Sequence, residues 1–298
     1  MALKDILLSS LPQYCEPMAS GKQICFRPMI VSEEKSLLLA KHSENKESIL
    51  KTLSNIISGC FGSSKDWSIS DFENMFLLLR AKSIGEVEGF VIKCPETNED
   101  ADIKINLIKD IRLTKGKTNN KIKLNDNLIL IMKEPTIKTL IKYPEYKDST
   151  EQFYKFTGSC IKQIQNKKEV IDCSDMPEKE ILEFVENLTT TQFKSIVSYF
   201  DSLPQLEIVT EYTTSDGVKR KTKIKGIFDY INFFFSHLDL SLFYTQNFQM
   251  KYHHNYSLEE IENMIPFERS VYVEQVRAYL KEEKQRLSQA AGGMNNGY

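Results

Sequence analysis

Apolar residues at Ile49, Leu53, Ile56, Ile57 and Cys60 recur every three or four positions, the spacing that puts them on one stripe of a helix. An earlier helix is entered through Ser32, Glu33 and Glu34, whose acidic first turn suits the helix dipole, and the pattern predicts a break near His42 to Asn45. Four capping boxes, Ser70/Glu73, Ser149/Gln152, Thr189/Gln192 and Ser257/Glu260, predict four more helix starts. Pro177 and Pro266 stand where a first-turn proline is tolerated, opening Glu178 to Asn187 and Phe267 to Leu287. Alternation marks the strands. Val87, Gly89, Val91 and Ile103, Ile105, Leu107 flank the polar stretch Glu96 to Asp102, which reads as a hairpin. Leu206 to Thr213 and Lys219 to Ile224 form a second around Asp216-Gly217, a pair that supplies the positive φ of a tight turn. Leu128 to Met132 and Gln23 to Val31 add two strands. Helices in runs and strands in antiparallel pairs predict an α+β class, helix-rich, with a C-terminal helical bundle.

Shifting the chain by 121 positions lays Asp71 to Ser83 and its hairpin on Gln192 to Pro204 and its hairpin without a gap. Phe72 meets Phe193, Phe76 meets Val197, Phe90 meets Glu211 and Ile103 meets Ile224, so the pattern predicts a duplicated helix-hairpin unit. At 298 residues a chain tends to split its core in two. The expected division is an N-terminal α+β lobe over 1–147 and a C-terminal lobe over 148–298.

Charge changes the picture next. Lys and Arg number 39 against 41 Asp and Glu, which removes the basic footprint of a dedicated nucleic-acid binder. No apolar run approaches the ~20 residues that cross a bilayer, and residues 1–11 lack a secretory pattern, so the expectation is a cytoplasmic protein with no membrane partner. The six cysteines show no CxxC pair, and the expectation is six free, buried thiols without a disulfide framework or a zinc site. His253-His254 is poor geometry for chelating one ion, because adjacent helical residues diverge by ~100°. Folding is accordingly expected to be independent of zinc, and no cofactor is expected.

No Walker A loop, GxGxxG, HExxH or GxSxG occurs, so an enzyme is not indicated. A rival reading is a hydrolase or transferase of unfamiliar motif using His237, Asp239 and Cys160. A third is a nucleic-acid-binding regulator using Lys104 to Lys123, seven basic residues against Asp110 alone but without an aromatic for base stacking. The apolar segment Ile227 to Phe235 must be buried, and its home is the core or an interface. Further along, Tyr244, Phe248, Tyr252, Phe267 and Tyr272 are candidate partner-binding residues, because exposed aromatics on helices are favoured interface anchors. The docking helices are expected at Leu240 to His253 and Phe267 to Leu287. Removing everything after Pro266 is expected to leave the N-terminal lobe folded. The tail, Ala290 to Tyr298, is expected to fray.

Three segments carry a family likeness: Ile24 to Ala40 (ICFRPMIVSEEKSLLLA), Phe72 to Val87 (FENMFLLLRAKSIGEV) with Ile92 to Pro95 (IKCP), and Tyr256 to Tyr272 (YSLEEIENMIPFERSVY). Together, across about Gly21 to Lys284, the chain resembles the baseplate hub subunits, or hub assembly proteins, of T-even-type contractile-tailed bacteriophages. The resemblance implies a non-enzymatic protein of tail morphogenesis made in the host cytoplasm. It stays in the baseplate or leaves as a chaperone. Its implied partners are other hub or tape-measure proteins, with self-association left open, and not nucleic acid or membrane. Some members of that family carry cysteine pairs in hairpin turns; here Cys94 stands alone and the second turn reads TTSDGVK, so the resemblance carries over no metal site.

Overall fold

The computed structural model describes residues 8, 10–63, 65–114, 116, 119–174, 176–235 and 240–294. The chain opens with a hairpin, β1 (Tyr14–Pro17) and β2 (Gln23–Phe26), followed by α1 (Val31–His42), α2 (Lys46–Phe61) and α3 (Ile69–Ser83). The break between α1 and α2 falls where the pattern put it: Asn45 caps α2, accepting from the Ser48 amide at 2.8 Å. The strand expected over Gln23 to Val31 is shorter, because Val31 already begins α1. The cap of α3 is Ser68 rather than Ser70, which frees Glu73 from the cap and turns it inward.

Next come β3 (Val87–Lys93), β4 (Asp100–Asn106), β5 (Ile111–Leu113), β6 (Lys121–Asn125), β7 (Leu128–Met132) and α4 (Ile137–Lys142). They lead to α5 (Thr150–Ser159), β8 (Ile161–Asn166), β9 (Val170–Asp172), α6 (Glu178–Glu186) and α7 (Thr190–Ser202). The chain closes with β10 (Leu206–Thr213), β11 (Lys219–Lys225), α8 (Ile227–Phe234), α9 (Leu240–His254), α10 (Leu258–Asn263) and α11 (Pro266–Met294). All strand pairs are antiparallel, in sheets ordered β1-β2, β3-β4, β11-β10-β5 and β6-β7-β8-β9. The class is α+β.

Two hydrophobic cores form. One gathers β6 to β9 with α5, α6 and α7 around Leu130, Phe156, Ile161 and Ile196. The other joins the N-terminal hairpin and α1 to α4 with β3, β4, β10, β11 and the C-terminal helices. Its centre is α3, buried on every side. Helix α8 packs there too, through Tyr230, Ile231 and Phe234, so Ile227 to Phe235 lies in the core. Since a buried polar group without a partner costs about 1–3 kcal/mol, most polar side chains of α3 are paired, although Arg80 Nε is left without a partner. Asn74 accepts from the Ala19 amide at 2.5 Å, Ser83 accepts from the Met29 amide at 2.9 Å, and Arg80 pairs with Glu88.

The helix-then-hairpin order occurs twice, but the packing does not repeat. Helix α3 shares a core with its own hairpin, whereas α7 lies in one core and the following β10 and β11 in the other. The register differs as well: Val87 pairs Asn106, whose counterparts at the same offset are Ile208 and Ile227, yet Ile208 pairs Ile224. Phe90 is buried while its counterpart Glu211 is exposed, and Ile208, Thr210 and Tyr212 face inward instead. With the first strand inverted, the register shifted and the helix in another core, the two segments differ in local fold, so the expectation of a duplicated unit is corrected.

The cysteine expectation is corrected too. Cys15 and Cys25 sit opposite each other in the first hairpin and are joined by a disulfide, while Cys60, Cys94, Cys160 and Cys173 are free and buried. The signal was hidden because β1, with a proline and a glutamate in four residues, does not read as a strand.

Candidate docking surface

Helix α9 divides its residues by face. Phe243, Asn247 and Met250 turn inward, and Tyr244, Phe248 and Tyr252, each four residues on from the last, line the outer face. That outer stripe is unusual for a folded chain: Tyr244 is 47%, Phe248 63% and Tyr252 70% exposed. Phe248 and Tyr252 stack with ring centres 5.6 Å apart. Lys35 of α1 lies 5.8 Å over the Tyr244 ring and is held there by Glu262 at 2.6 Å.

Helix α11 runs beside α9 in the same direction: Arg269 lies 4.4 Å over the Phe243 ring near the start of both, and His254 meets Tyr279 at 6.0 Å further along. Val273 and Val276 seat α11 on the body, and Arg269 makes a buried ion pair with Glu34 of α1 at 3.0 Å. Phe267, Val271, Tyr272, Tyr279 and Leu287 remain exposed. Beyond Leu280 the charged run Lys281, Glu282, Glu283, Lys284 and Arg286 is solvated.

Of the five candidate residues, the structure aligns Tyr244, Phe248 and Tyr252 on one stripe. It sets Tyr272 against Tyr256 at 5.6 Å and leaves Phe267 exposed in the first turn of α11. Tyr279 was missed by the sequence reading, although its spacing of seven from Tyr272 was a usable signal. The helices are thus both core and surface. The packing weighs against the expectation that the N-terminal lobe stays folded without residues after Pro266: cutting there strips the partner from buried Glu34 and removes Val273 and Val276.

The rival constellations fare differently. Cys160 is fully buried and burial pushes its thiol up to about 12, which makes it a poor nucleophile at neutral pH. His237 and Asp239 lie outside the described residues, as do side chains 290–294 and all of 295–298, where the frayed tail was expected. Within Lys104 to Lys123, Arg112 faces Glu207 across the sheet and Lys123 pairs with Asp126 at 2.8 Å, while Lys115 and Lys117 lie outside the described residues. Among the described residues no three His, Cys, Asp or Glu side chains cluster as a metal site would require. The tips of the two long hairpins do meet, through Glu96 and Arg220 at 2.8 Å, Glu99 and Ser215 Oγ at 2.6 Å, and the Tyr212 hydroxyl donating to Cys94 at 3.5 Å.

A cleft of about 420 Å³, also unforeseen, opens between the two cores, with Tyr146, Phe153, Phe156 and Phe200 along its wall. Glu73 lines it, and burial drives its carboxyl up to about 8 despite the nearby Lys147 and the Ile227 amide. No described helix is long and apolar enough to cross a membrane.

No curated protein and no solved structure matches the chain. A family model described as T4 bacteriophage base plate protein matches residues 12–234, and that match ends before α9 begins.

Proposed function

Since the chain belongs to the T4 bacteriophage base plate protein family, we propose that it serves tail morphogenesis as a non-enzymatic hub subunit or hub assembly chaperone that binds other hub or tape-measure proteins. Family membership supports the coarser statement, a structural or tail-assembly role in a phage baseplate. The observation that carries the finer one is the exposed aromatic stripe Tyr244, Phe248 and Tyr252 of α9, with Tyr272 and Tyr279 exposed on the neighbouring α11. Aromatic side chains clustered on the outside of rigid helices are what protein interfaces bury at their centres. The solvated charges at the end of α11 give such a contact a direction of approach. Because α9 to α11 lie outside the matched span, this part of the reading rests on geometry and not on the family.

The test is made in infected cells. An affinity-tagged chain isolated before lysis should bring down hub or tape-measure proteins of the same tail in fixed ratio, and recovering it alone contradicts the proposal. Mass spectrometry of purified particles then separates the two roles. Retention at constant copy number marks a subunit; presence in lysate and absence from particles marks a chaperone.

A further inference from the structure

The N-terminal hairpin closes with the Met18 amide donating to the Lys22 carbonyl at 2.8 Å. Along an antiparallel ladder, hydrogen-bonded pairs alternate with non-bonded ones. Counting outward from the closing pair, Glu16 with Ile24 and Tyr14 with Phe26 occupy bonded places, and Cys15 with Cys25 a non-bonded one. Side chains come closest at such a place, and the two Cα atoms lie 4.0 Å apart. Tyr14, Ile24 and Phe26 take the inner face, so both cysteines point outward and are exposed. The other four thiols are buried. A dissolved reagent therefore meets the Cys15–Cys25 pair first.

We infer that Cys15 and Cys25 form a redox-modification site, a thiol–disulfide pair that exchanges with low-molecular-weight disulfides such as oxidised glutathione and thereby sets how firmly the N-terminal hairpin is closed. Starting from the dithiol, one cysteine thiolate attacks a sulfur of glutathione disulfide, forming a mixed disulfide and expelling one glutathione thiolate. The second cysteine thiolate attacks the protein sulfur of that mixed disulfide, closing the Cys15–Cys25 bond and expelling the second glutathione. Two protein thiols are oxidised, one glutathione disulfide is reduced to two glutathiones, and the two cysteine protons end on them. Reduction is the same path reversed.

The bond matters to the hairpin because a two-stranded ribbon of four-residue strands is marginal by itself. What else holds it is unequal. Phe26 stacks on Phe61 with centres 4.6 Å apart and Met18 is buried, which keep β2 and the turn seated. Strand β1 relies on Glu16 with Lys82 at 2.8 Å and on the half-buried Tyr14. Opening the bond therefore loosens β1 while the rest of the core stays closed.

The full-length protein is equilibrated in a series of glutathione buffers from strongly reducing to strongly oxidising, quenched with acid, alkylated and weighed, with amide exchange followed in parallel. The expected result is conversion of one cysteine pair across the series, with Cys60, Cys94, Cys160 and Cys173 labelled only after denaturation. Exchange over residues 14–17 should be about tenfold faster in the reduced protein, with α2 unchanged. A C15S/C25S variant should show the reduced-state exchange in every buffer. The inference is overturned by a pair that stays in one state throughout the series, or by equal exchange over 14–17 in both states.

Discussion

Glu34 and Arg269 are buried 3.0 Å apart, from helices at opposite ends of the chain, and burial pushes the carboxyl up while Arg269 draws it back down. Removing one partner of such a pair leaves the other charged and buried, at a cost of about 3–5 kcal/mol. Arg269→Ala should therefore lower the unfolding free energy measured by urea titration by that much, and a value near wild type would show that Glu34 finds another partner. Glu73 presents the opposite case, a carboxyl that burial holds up at about 8 against an ordinary value of 4.5. Below the ordinary value the group is protonated both folded and unfolded. Between the two values the unfolded chain releases its proton and the folded one does not, so stability falls as pH rises through this window and levels off above about 8. Glu73→Gln keeps an acceptor for the Ile227 amide and cannot ionise. Its melting temperature relative to wild type should climb between pH 5 and 8 by the equivalent of roughly 3 kcal/mol, and parallel curves would show that Glu73 ionises freely in the cleft.

Among the elements, those with local chemistry at their ends were legible in the sequence. Ser257 with Glu260 and Thr189 with Gln192 form complete capping boxes, and the hairpin around Asp216-Gly217 has its expected strands, with Gly217 at φ 74°. Elements held by distant partners were not legible. Strand β8, IKQIQN, has too weak an alternation to stand out and exists because β7 and β9 flank it. The Ser70/Glu73 signal was outcompeted because Ser68 caps the helix and Glu73 is drawn into the cleft. The docking stripe was half legible: the aromatics of α9 could be named, but which of them face water depends on where α11 lies. The junction between β11 and α8 turns on Gly226, whose φ of 90° belongs to a region that L residues avoid although nothing crowds its missing Cβ. Gly226→Ala should cost about 1–3 kcal/mol in chemical denaturation, and a change below about 0.5 kcal/mol would mean that the junction relaxes freely.

At the scale of the whole molecule, the N-terminal hairpin, α1 and the C-terminal helices share one core, and β6 to β9 with α5 to α7 supply the other. Such interleaving comes from contacts between residues far apart in sequence, such as Glu34 with Arg269, which no local pattern encodes. It also means that deletion cannot separate docking from folding, since a chain ending at Pro266 loses Arg269, Val273 and Val276 from the core and should unfold. The outer stripe of α9 can be changed without that cost. Phe248 and Tyr252 are mostly exposed, so Phe248→Ala with Tyr252→Ala should shift stability by no more than about 1 kcal/mol. The decisive measurement is the affinity of this double variant for hub and tape-measure proteins co-expressed with it, alongside its melting temperature. A loss of at least about thirtyfold in affinity with an unchanged melting temperature is the result predicted for a docking surface. Capture at wild-type affinity by the folded variant contradicts it.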